Sequence, residues 1–472
     1  MLKGTIKFKD IGNITEADIE LKSFSVFVGK NNTGKTFLAN ALFYLHSKHM
    51  KSLIDSFLKK NSSSVDGKDI LIKTKNLLKM IFEEFNNYPF YNRIYKNKKF
   101  NDSRVIFDYK QVDVFHERFD LHEILVDYFK ENEMVVKLLM DVNKLDSKKF
   151  YNNILKTNIA RDRNENIEMV LNTFFDTVFG KKFDVPYVVA KNILDKYFCV
   201  NKDVYMFPVE RAGINTFLFD VTREINTFNI CLENYLQLIN ELKNISVDAK
   251  SDYFDIACSL EQALFNGKIE LTKDFLPQDK KLIFTDTNNN EIGSEFFSSS
   301  INELSTLILY LKYKAKKGDI VFIDEPEISL HPDAQRILVK YLAVLNNEGI
   351  KFVLITHSDY IVKELSHTIS LGRKKSGCAE KDFIEMLKEN NLSDYIIGAN
   401  DKIYMASLEK ESVLYSLNQN DDMHTVVKKI EPTLLGFNED IFNNSINQTN
   451  IVSNTITSFV LNEKDEDIFS DI

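Results

Sequence analysis

The chain begins with an alternation of hydrophobic and polar residues that predicts short β-strands over residues 2–28, ending in the apolar run FSVFV. The glycine-bounded sequence GKNNTGKT follows at 29–36, and the next segment, FLANALFYLH, carries apolar residues at helical spacing. The pattern therefore predicts a strand, a glycine-bounded loop and a helix in direct succession.

The spacing from about residue 46 to 200 is mostly helical, as in the segments KTKNLLKMIFEEF, DLHEILVDYFKENEMVVKLLM and NIEMVLNTFFDTVF. Its heptads are too short for a long coiled coil. Further on, VYMFPVERAG predicts a strand, and residues 268–293 alternate in the manner of antiparallel strands. The runs DIVFID and KFVLITH flank a predicted helix, and each holds four consecutive apolar residues, which is typical of buried parallel strands.

These elements predict an α/β fold with a mixed sheet and helices, in a chain of 472 residues that can bury a substantial core. We expect residues 1–45 and 201–370 to form the two parts of one core, and residues 46–200 to form a large, mostly helical insertion. Residues 371–472 should form a small α/β region. Its last stretch, 455–472, has five acidic residues against one lysine and predicts an acidic tail.

The composition narrows the class of protein. No run of about 18 apolar residues predicts a membrane span, and the N-terminus lacks a signal-peptide core. The four cysteines form no CxxC pair, which argues against a structural zinc site and a disulfide framework. We therefore expect a cytoplasmic protein. The net charge of −9 gives no general reason to expect nucleic acid, although residues 48–110 carry 14 basic against seven acidic residues.

The sequence at 29–36 fits the phosphate-binding pattern GxxxxGK[ST] at every position. Glycines let the backbone wrap phosphates with its N–H groups pointing at their oxygens. Lys35 is expected to reach the β- and γ-phosphates of ATP, and the Thr36 hydroxyl to ligate Mg²⁺. The residues predicted to bind the nucleotide here are Gly29, Asn31, Asn32, Thr33, Gly34, Lys35 and Thr36.

Polar residues follow the two later apolar runs, at the point where each predicted strand ends. Asp324 ends the first and could hold Mg²⁺ beside the loop, while Glu325 could polarise the attacking water as a general base. His357 ends the second, where a contact to the γ-phosphate is its predicted role. With Lys35, these two side chains, Glu325 and His357, form the predicted catalytic set.

The order of phosphate-binding loop, long insertion, serine-rich helix, DEPE and histidine resembles the ABC-type P-loop ATPase core. More narrowly, it resembles the SMC/RecF-like and OLD-family ATPases. The segment DEPEISLHP is similar to the DEPExxLHP of the OLD-like group, so His331 stands where a transporter has its D-loop aspartate. The segment PVER resembles the P-x-[DE]-R element of these ATPases. Its Arg211 is expected either to neutralise phosphate charge or to pair with Glu210.

The segment FSSSINE resembles the SSG-I-Q-E signature of OLD-like ATPases, with a serine in place of the glycine. The resemblance implies that Ser298, Ser299 and Ser300 contact the ATP held by a second subunit. A serine-rich helix N-terminus also suits an anion. The alternative is an ordinary helix cap, with Ser300 as the N-cap and Glu303 completing a capping box.

The resemblance implies an ATPase that works as a homodimer clamping two ATP molecules, with higher oligomers open. One hypothesis is a sensor and scaffold subunit of an anti-phage defence system, similar to AriA of PARIS and PtuA of Septu. Its partners would be a separate effector, a nuclease or toxin, and a phage protein as trigger. The alternative is a DNA-repair or chromosome-maintenance ATPase that binds DNA. Beyond His357, no acidic cluster ends an apolar strand, so we expect no nuclease in this chain.

Overall fold

The computed structural model describes most of the predicted core and the two ends of the insertion. The described residues are 5–61, 70–90, 94, 104–107, 185–199, 202–218, 229–245, 249–272, 280–376, 378–420, 424–433 and 437. Two of the predicted insertion helices, at 120–140 and 166–179, and the acidic tail lie outside these ranges. Within them, no helix has the length and apolarity needed to cross a bilayer.

The described residues form fourteen strands and eleven α-helices. The strands are β1 (Ile6–Ile11), β2 (Ile14–Ile19), β3 (Phe24–Gly29), β4 (Arg104–Phe107), β5 (Val204–Phe207), β6 (Lys268–Leu271), β7 (Leu282–Thr285), β8 (Glu291–Gly293), β9 (Ile320–Asp324), β10 (Lys351–Thr356), β11 (Ile396–Ala399), β12 (Lys402–Met405), β13 (Ser412–Gln419) and β14 (Thr425–Ile430). The helices are α1 (Lys35–His46), α2 (Lys48–Asn61), α3 (Ile70–Asn87), α4 (Val185–Phe198), α5 (Arg211–Leu218), α6 (Ile230–Asn244), α7 (Phe254–Phe265), α8 (Ser299–Tyr313), α9 (Pro332–Asn347), α10 (Asp359–Lys375) and α11 (Glu380–Glu389).

A nine-stranded sheet organises the fold, in the order β4-β1-β2-β14-β13-β3-β10-β9-β5. Strands β13, β3, β10, β9 and β5 run parallel to one another, whereas β1 is antiparallel to both β2 and β4. The predicted α/β fold with a mixed sheet is therefore confirmed. The predicted parallel pairing of the two apolar runs is also confirmed, because Ile323 on β9 pairs with Leu354 on β10.

The central strands β3, β9 and β10 are mostly apolar because both faces of the sheet are covered. On β3, Phe24, Val26 and Val28 belong to one hydrophobic cluster, while Phe27 belongs to the cluster on the opposite face. Phe27 stacks on Tyr415 of β13, with the ring centroids 5.2 Å apart. A strand buried on both faces has no polar side to alternate, which is why these runs are continuous.

The sheet extends beyond the core boundaries that we expected from the sequence. Strands β13 and β14 come from the region after residue 370, yet β13 pairs with β3 at the centre of the sheet. Strand β4 comes from the insertion and pairs with β1. Helices α2, α3 and α4, at the two ends of the insertion, contribute apolar side chains to the same cluster as Phe27. These parts of the insertion are therefore built into the core.

A second, three-stranded sheet of β6, β7 and β8 lies immediately before helix α8 in the chain. Its strands are antiparallel, as the alternation over residues 268–293 predicted. The sheet is tied to helix α8 by Lys312, whose ammonium donates to the carbonyl oxygen of Ile269 at 2.9 Å and pairs with Glu261 of helix α7. Helix α8 is thus anchored at its C-terminal end.

Candidate functional site

The glycine-bounded loop at residues 29–36 turns strand β3 directly into helix α1. Gly29 has a φ of +154°, and a Cβ there would lie 2.2 Å from the carbonyl oxygen of Leu417 on β13. Gly34 has a φ of +86° and is the N-cap of helix α1. Only glycine meets both requirements without strain. The loop therefore presents its backbone at a helix N-terminus, the arrangement that binds phosphate.

The Lys35 side chain folds back into this loop. Its ammonium donates to the carbonyl oxygens of Gly29, at 3.0 Å, and Lys30, at 2.7 Å. Burial lowers the pKa of Lys35 to about 8, against the opposing influence of the Glu325 and Asp324 carboxylates. A cation held in the concavity of the loop is placed to meet an anionic ligand.

Thr36 and Asp324, separated by 288 positions in the chain, meet beside the loop. The Thr36 hydroxyl donates to Oδ2 of Asp324 at 3.2 Å. Asp324 is 2% exposed, and within the described residues its Oδ1 has no hydrogen-bond partner. Burial raises the pKa of Asp324 to about 6. A hydroxyl beside a buried carboxylate with a free oxygen fits Mg²⁺, which prefers hard oxygen ligands.

Glu325 and His357 face each other at the ends of neighbouring strands β9 and β10. Nε2 of His357 lies 3.4 Å from Oε1 of Glu325. This contact with His357 lowers the pKa of Glu325, against the effect of burial. The Glu325 backbone is left-handed, with a φ of +47°, and its N–H donates to the carbonyl of Ile355. Glu327, which sequence reasoning left without a role, accepts the backbone N–H of His357 at 2.6 Å.

A cavity of about 350 Å³ brings these motifs together. Its lining includes Gly12, Asn13, residues 31–37, Glu325 and His357. Gly12 and Asn13 belong to the turn between β1 and β2, and the Asn13 amide donates to the carbonyl of Asn32 at 3.0 Å. No sequence pattern pointed to this turn, because its position depends on how the β1–β2 hairpin packs against the loop.

The three predicted signature serines do not line this cavity. Ser298 is the N-cap of helix α8: its Oγ accepts the N–H of Ile301 at 3.4 Å and lies 3.0 Å from Oγ of Ser300. The alternative prediction of an ordinary helix cap is therefore confirmed, but the capping residue is Ser298 and not Ser300 with Glu303. At this helix N-terminus Ser298 and Ser299 are exposed and Ser300 is half-buried.

Arg211 does not pair with Glu210, which was one of the two alternatives that the sequence suggested. It is 1% exposed, and its Nε lies 2.8 Å from Oε2 of Glu303, not of the neighbouring Glu210. The rest of its guanidinium donates to backbone carbonyls, including that of Glu325 at 2.8 Å. His331, the other residue that the resemblance singled out, is exposed and begins helix α9 by accepting the N–H of Asp333.

Comparison with known proteins gives the family of the chain. None of the curated proteins matches this chain. Among solved structures, it is similar to the Smc head domain with an extended coiled coil bound to the C-terminal domain of ScpA from Pyrococcus furiosus, at 10% identity, 90% coverage of this chain, 96% of that chain and a TM-score of 0.32. It is also similar to the SMC head domain from Thermotoga maritima, at 9% identity, 91% and 100% coverage and a TM-score of 0.32.

The sequence itself matches the AAA ATPase domain family over residues 6–362. The match takes in the loop at 29–36, Asp324, Glu325 and His357, which the fold brings to one cavity or its border. It spans more than half of the chain. The chain therefore belongs to the AAA ATPase domain family and is an enzyme that binds and hydrolyses ATP.

Proposed function

We propose that the chain works as a homodimer in which the serine-rich helix of each subunit completes the ATP site of the other. We further propose that ATP-driven closure makes it the sensor and scaffold of an anti-phage defence system, with a separate nuclease or toxin as effector. The position of Ser298–Ser300 is the observation that supports the proposed homodimer. They lie at a helix N-terminus, with Ser298 and Ser299 exposed and Ser300 half-buried, outside the cavity that holds the loop, Glu325 and His357 of their own chain.

Within one site, each residue group has a separate task. The amides of the loop and Lys35 bind the β- and γ-phosphates, and Thr36 with Asp324 would hold Mg²⁺, which draws charge from the phosphate oxygens. Glu325 accepts a proton from the water whose oxygen attacks the γ-phosphorus. The bond from the γ-phosphorus to the β–γ bridging oxygen breaks, ADP leaves with that oxygen, and inorganic phosphate forms. His357, 3.4 Å from Glu325, contacts the γ-phosphate.

The buried Asp324 makes a pH prediction for the magnesium site. Because its pKa is raised to about 6, a proton competes with Mg²⁺ for the carboxylate below that pH. We expect kcat to fall as the pH drops through about 6, and the midpoint of this fall to move to lower pH as the Mg²⁺ concentration rises. Steady-state rates over a grid of pH and Mg²⁺ concentrations measure this. A pH midpoint that does not change with the Mg²⁺ concentration would show that Asp324 is not a magnesium ligand.

The Asp324 carboxyl also predicts how the stability of the nucleotide-free protein depends on pH, which serves as a control. Burial raises its pKa in the folded protein above that of an ordinary aspartate, so the unfolded chain ionises first and stability falls as the pH rises from about 4 to 6. Above pH 6 the folded protein therefore holds a desolvated charge. Asp324→Asn should leave the metal-free Tm at pH 7 unchanged or higher while losing Mg²⁺-dependent hydrolysis.

Mixing two inactive variants tests the shared site. Lys35→Ala damages the loop, and Ser300→Glu places a negative charge where the γ-phosphate of the partner would lie. A mixed dimer holds one intact site, so equal mixing should restore measurable activity, up to about a quarter of the wild-type rate, because random pairing makes half of the dimers mixed. Glutamate in the first turn favours a helix, so Ser300→Glu should fold.

The matched control mixes Lys35→Ala with Glu325→Gln. Both residues border the ATP site of their own chain, so no pairing of these two variants contains an intact site. We expect no recovery from this mixture. Equal rates from the two mixtures, or no recovery from the first at any ratio, would contradict sites shared between subunits.

The defence role rests on the motif DEPEISLHP and on the helical insertion, which closure of the dimer would move. The DNA-repair alternative rests on the basic residues of 48–110. In the described part of this stretch, one lysine of helix α2 is neutralised, because Lys60 pairs with Glu84. This pairing weakens the case for a phosphate-binding surface on α2, and we therefore favour the defence role.

The effector prediction separates the two hypotheses. We expect the purified chain with ATP and Mg²⁺ or Mn²⁺ to leave DNA and RNA intact, because metal-dependent cleavage needs clustered carboxylates on a rigid frame. Replacing residues 110–180 by a short Gly-Ser linker should keep ATPase activity, since α2, α3, α4 and β4 remain. The same deletion should abolish co-purification with the product of the neighbouring gene.

Two results would overturn this assignment. Metal-dependent nicking that survives Glu325→Gln would place a nuclease in this chain. Tight, salt-sensitive binding of duplex DNA, lost on charge reversal of the exposed lysines Lys48 and Lys59, would favour the DNA-repair alternative.

A further inference from the structure

Arg211 joins three parts of the chain through one buried guanidinium. Its Nη1 donates to the carbonyl of Pro208 at 2.9 Å and to that of Asp324. Its Nη2 donates to the carbonyl of Glu325 at 2.8 Å. Its Nε lies 2.8 Å from the carboxylate of Glu303 and 3.2 Å from the carbonyl of the same residue. A planar fork with fixed donors can hold several acceptors at defined angles, which an ammonium cannot do.

The backbone that Arg211 holds is the one that aims the Glu325 carboxylate. Glu325 is left-handed, with a φ of +47°, a conformation that residues other than glycine rarely adopt and that persists only when neighbours fix it. Three backbone contacts help to fix it: its N–H donates to Ile355 on β10, and its carbonyl accepts from Arg211 and from the N–H of Ile328. The direction of the carboxylate therefore depends on the position of the guanidinium.

The other end of this connection is the serine-rich helix. Glu303 lies on helix α8, about one and a half turns from the N-cap Ser298. The same region of α8 is held to helix α5 by Asn215, whose amide donates to the carbonyl of Asn302 at 2.6 Å. A shift of the α8 N-terminus therefore moves Glu303, and with it the cation that holds Glu325.

We propose that Arg211 and Glu303 are positioning residues that couple the two ATP sites of the dimer. This inference rests on the proposed function, in which the Ser298–Ser300 end of α8 contacts the ATP of the partner. ATP bound at the partner's site then sets the α8 N-terminus of this chain. Through Glu303 and Arg211, it sets the Glu325 carboxylate at this chain's own site, so that hydrolysis is positively cooperative in ATP.

Helix α8 offers a matched control at its opposite end. Lys312 and Glu261 form an ion pair with 2.7 Å between Nζ and Oε1, and their side chains are 2% and 3% exposed. The Arg211–Glu303 pair is buried to a similar degree, at 1% and 3%. Breaking either pair leaves an uncompensated buried charge on or beside the same helix. Only the second pair touches the backbone of Glu325.

The experiment compares Glu303→Gln with Glu261→Gln for kcat, for the Kd of ATP and for the Hill coefficient of hydrolysis. We expect Glu303→Gln to lower kcat by about tenfold, with the Kd of ATP within about twofold and the Hill coefficient reduced from above 1 to 1. Glu261→Gln should keep the wild-type Hill coefficient and a kcat within about twofold of wild type. A general loss of structure would move both variants alike.

A double variant covers the case in which Glu303→Gln does not fold. Arg211→Met with Glu303→Leu removes both charges, a change that buried pairs often tolerate, and it should show the same loss of kcat and cooperativity. A wild type with a Hill coefficient of 1, or a Glu303→Gln protein that matches Glu261→Gln, overturns this inference and leaves the proposed function standing. Failure of the mixed-dimer recovery contradicts the proposed function itself.

Discussion

Glu325→Gln is expected to lower kcat for ATP hydrolysis by about two to four orders of magnitude, because it removes the group that accepts the proton of the attacking water. ATP binding should remain, since Lys35, Thr36 and Asp324 are unchanged. The amide of glutamine is close in shape to the carboxylate, so a contact with Nε2 of His357, now at 3.4 Å, can persist. A dimer that holds ATP without hydrolysing it should dissociate more slowly than the wild type.

The measurements are single-turnover hydrolysis, equilibrium binding of ATP and the mass of the particle in solution with ATP. Glu327→Gln is the matched control, because Glu327 is the next carboxylate along the same turn and accepts the backbone N–H of His357 at 2.6 Å. An amide oxygen can accept the same hydrogen bond, so this variant should lose far less activity. A wild-type rate for Glu325→Gln would show that another group is the base.

The sequence predicted those parts of the site that depend on a pattern within a short segment of the chain. The loop at 29–36 needs glycine where φ is positive, and the spacing of its glycines shows this directly. Asp324 and His357 follow continuous apolar runs, and parallel strands buried on both faces must end at one edge of a sheet. Their meeting beside the loop therefore follows from local patterns together with one rule of sheet topology.

The features that the sequence missed depend on partners far away in the chain. Arg211 binds Glu303, 92 positions later, whereas the neighbouring Glu210 was the only acid that a local pattern could offer. Strand β13 contains Ser412 and Ser416 among its apolar residues, so it lacks the continuous run of β9 and β10. Its place beside β3, with Leu414 opposite Val26, is decided by packing rather than by its own pattern.

The helix cap illustrates a second kind of miss. A Ser-x-x-Glu spacing at 300–303 matches a capping box, but the preceding Ser298 already caps the helix, and Glu303 lies inside it. The spacing of serine and glutamate does not show at which residue the backbone changes from extended to helical. Once Glu303 is buried, a cation is needed beside it, and Arg211 supplies that cation.

Lys35→Met is expected to weaken ATP binding by roughly two orders of magnitude, because a charge-assisted bond to the phosphates is lost. It should not destabilise the protein without nucleotide to the same degree. Burial lowers the pKa of Lys35 to about 8, so the folded chain holds this cation at a cost that an apolar side chain of similar length avoids. The contacts that methionine gives up are those to the carbonyls of Gly29 and Lys30.

Thermal unfolding with and without ATP separates these two effects. Ligand binding to the folded state raises stability by RT ln(1 + [ATP]/Kd), so at an ATP concentration of 100 times the wild-type Kd the gain is about 2.7 kcal/mol. A hundredfold weaker Kd reduces that gain to about 0.4 kcal/mol at the same concentration. We therefore expect Lys35→Met to keep a nucleotide-free Tm close to that of the wild type and to lose most of the rise with ATP.

Lys30→Met, at an exposed position of the same loop, should keep both, because its side chain lies outside the concavity that Lys35 occupies. If Lys35→Met keeps the ATP-induced rise in Tm, the phosphates of ATP bind elsewhere than at this loop.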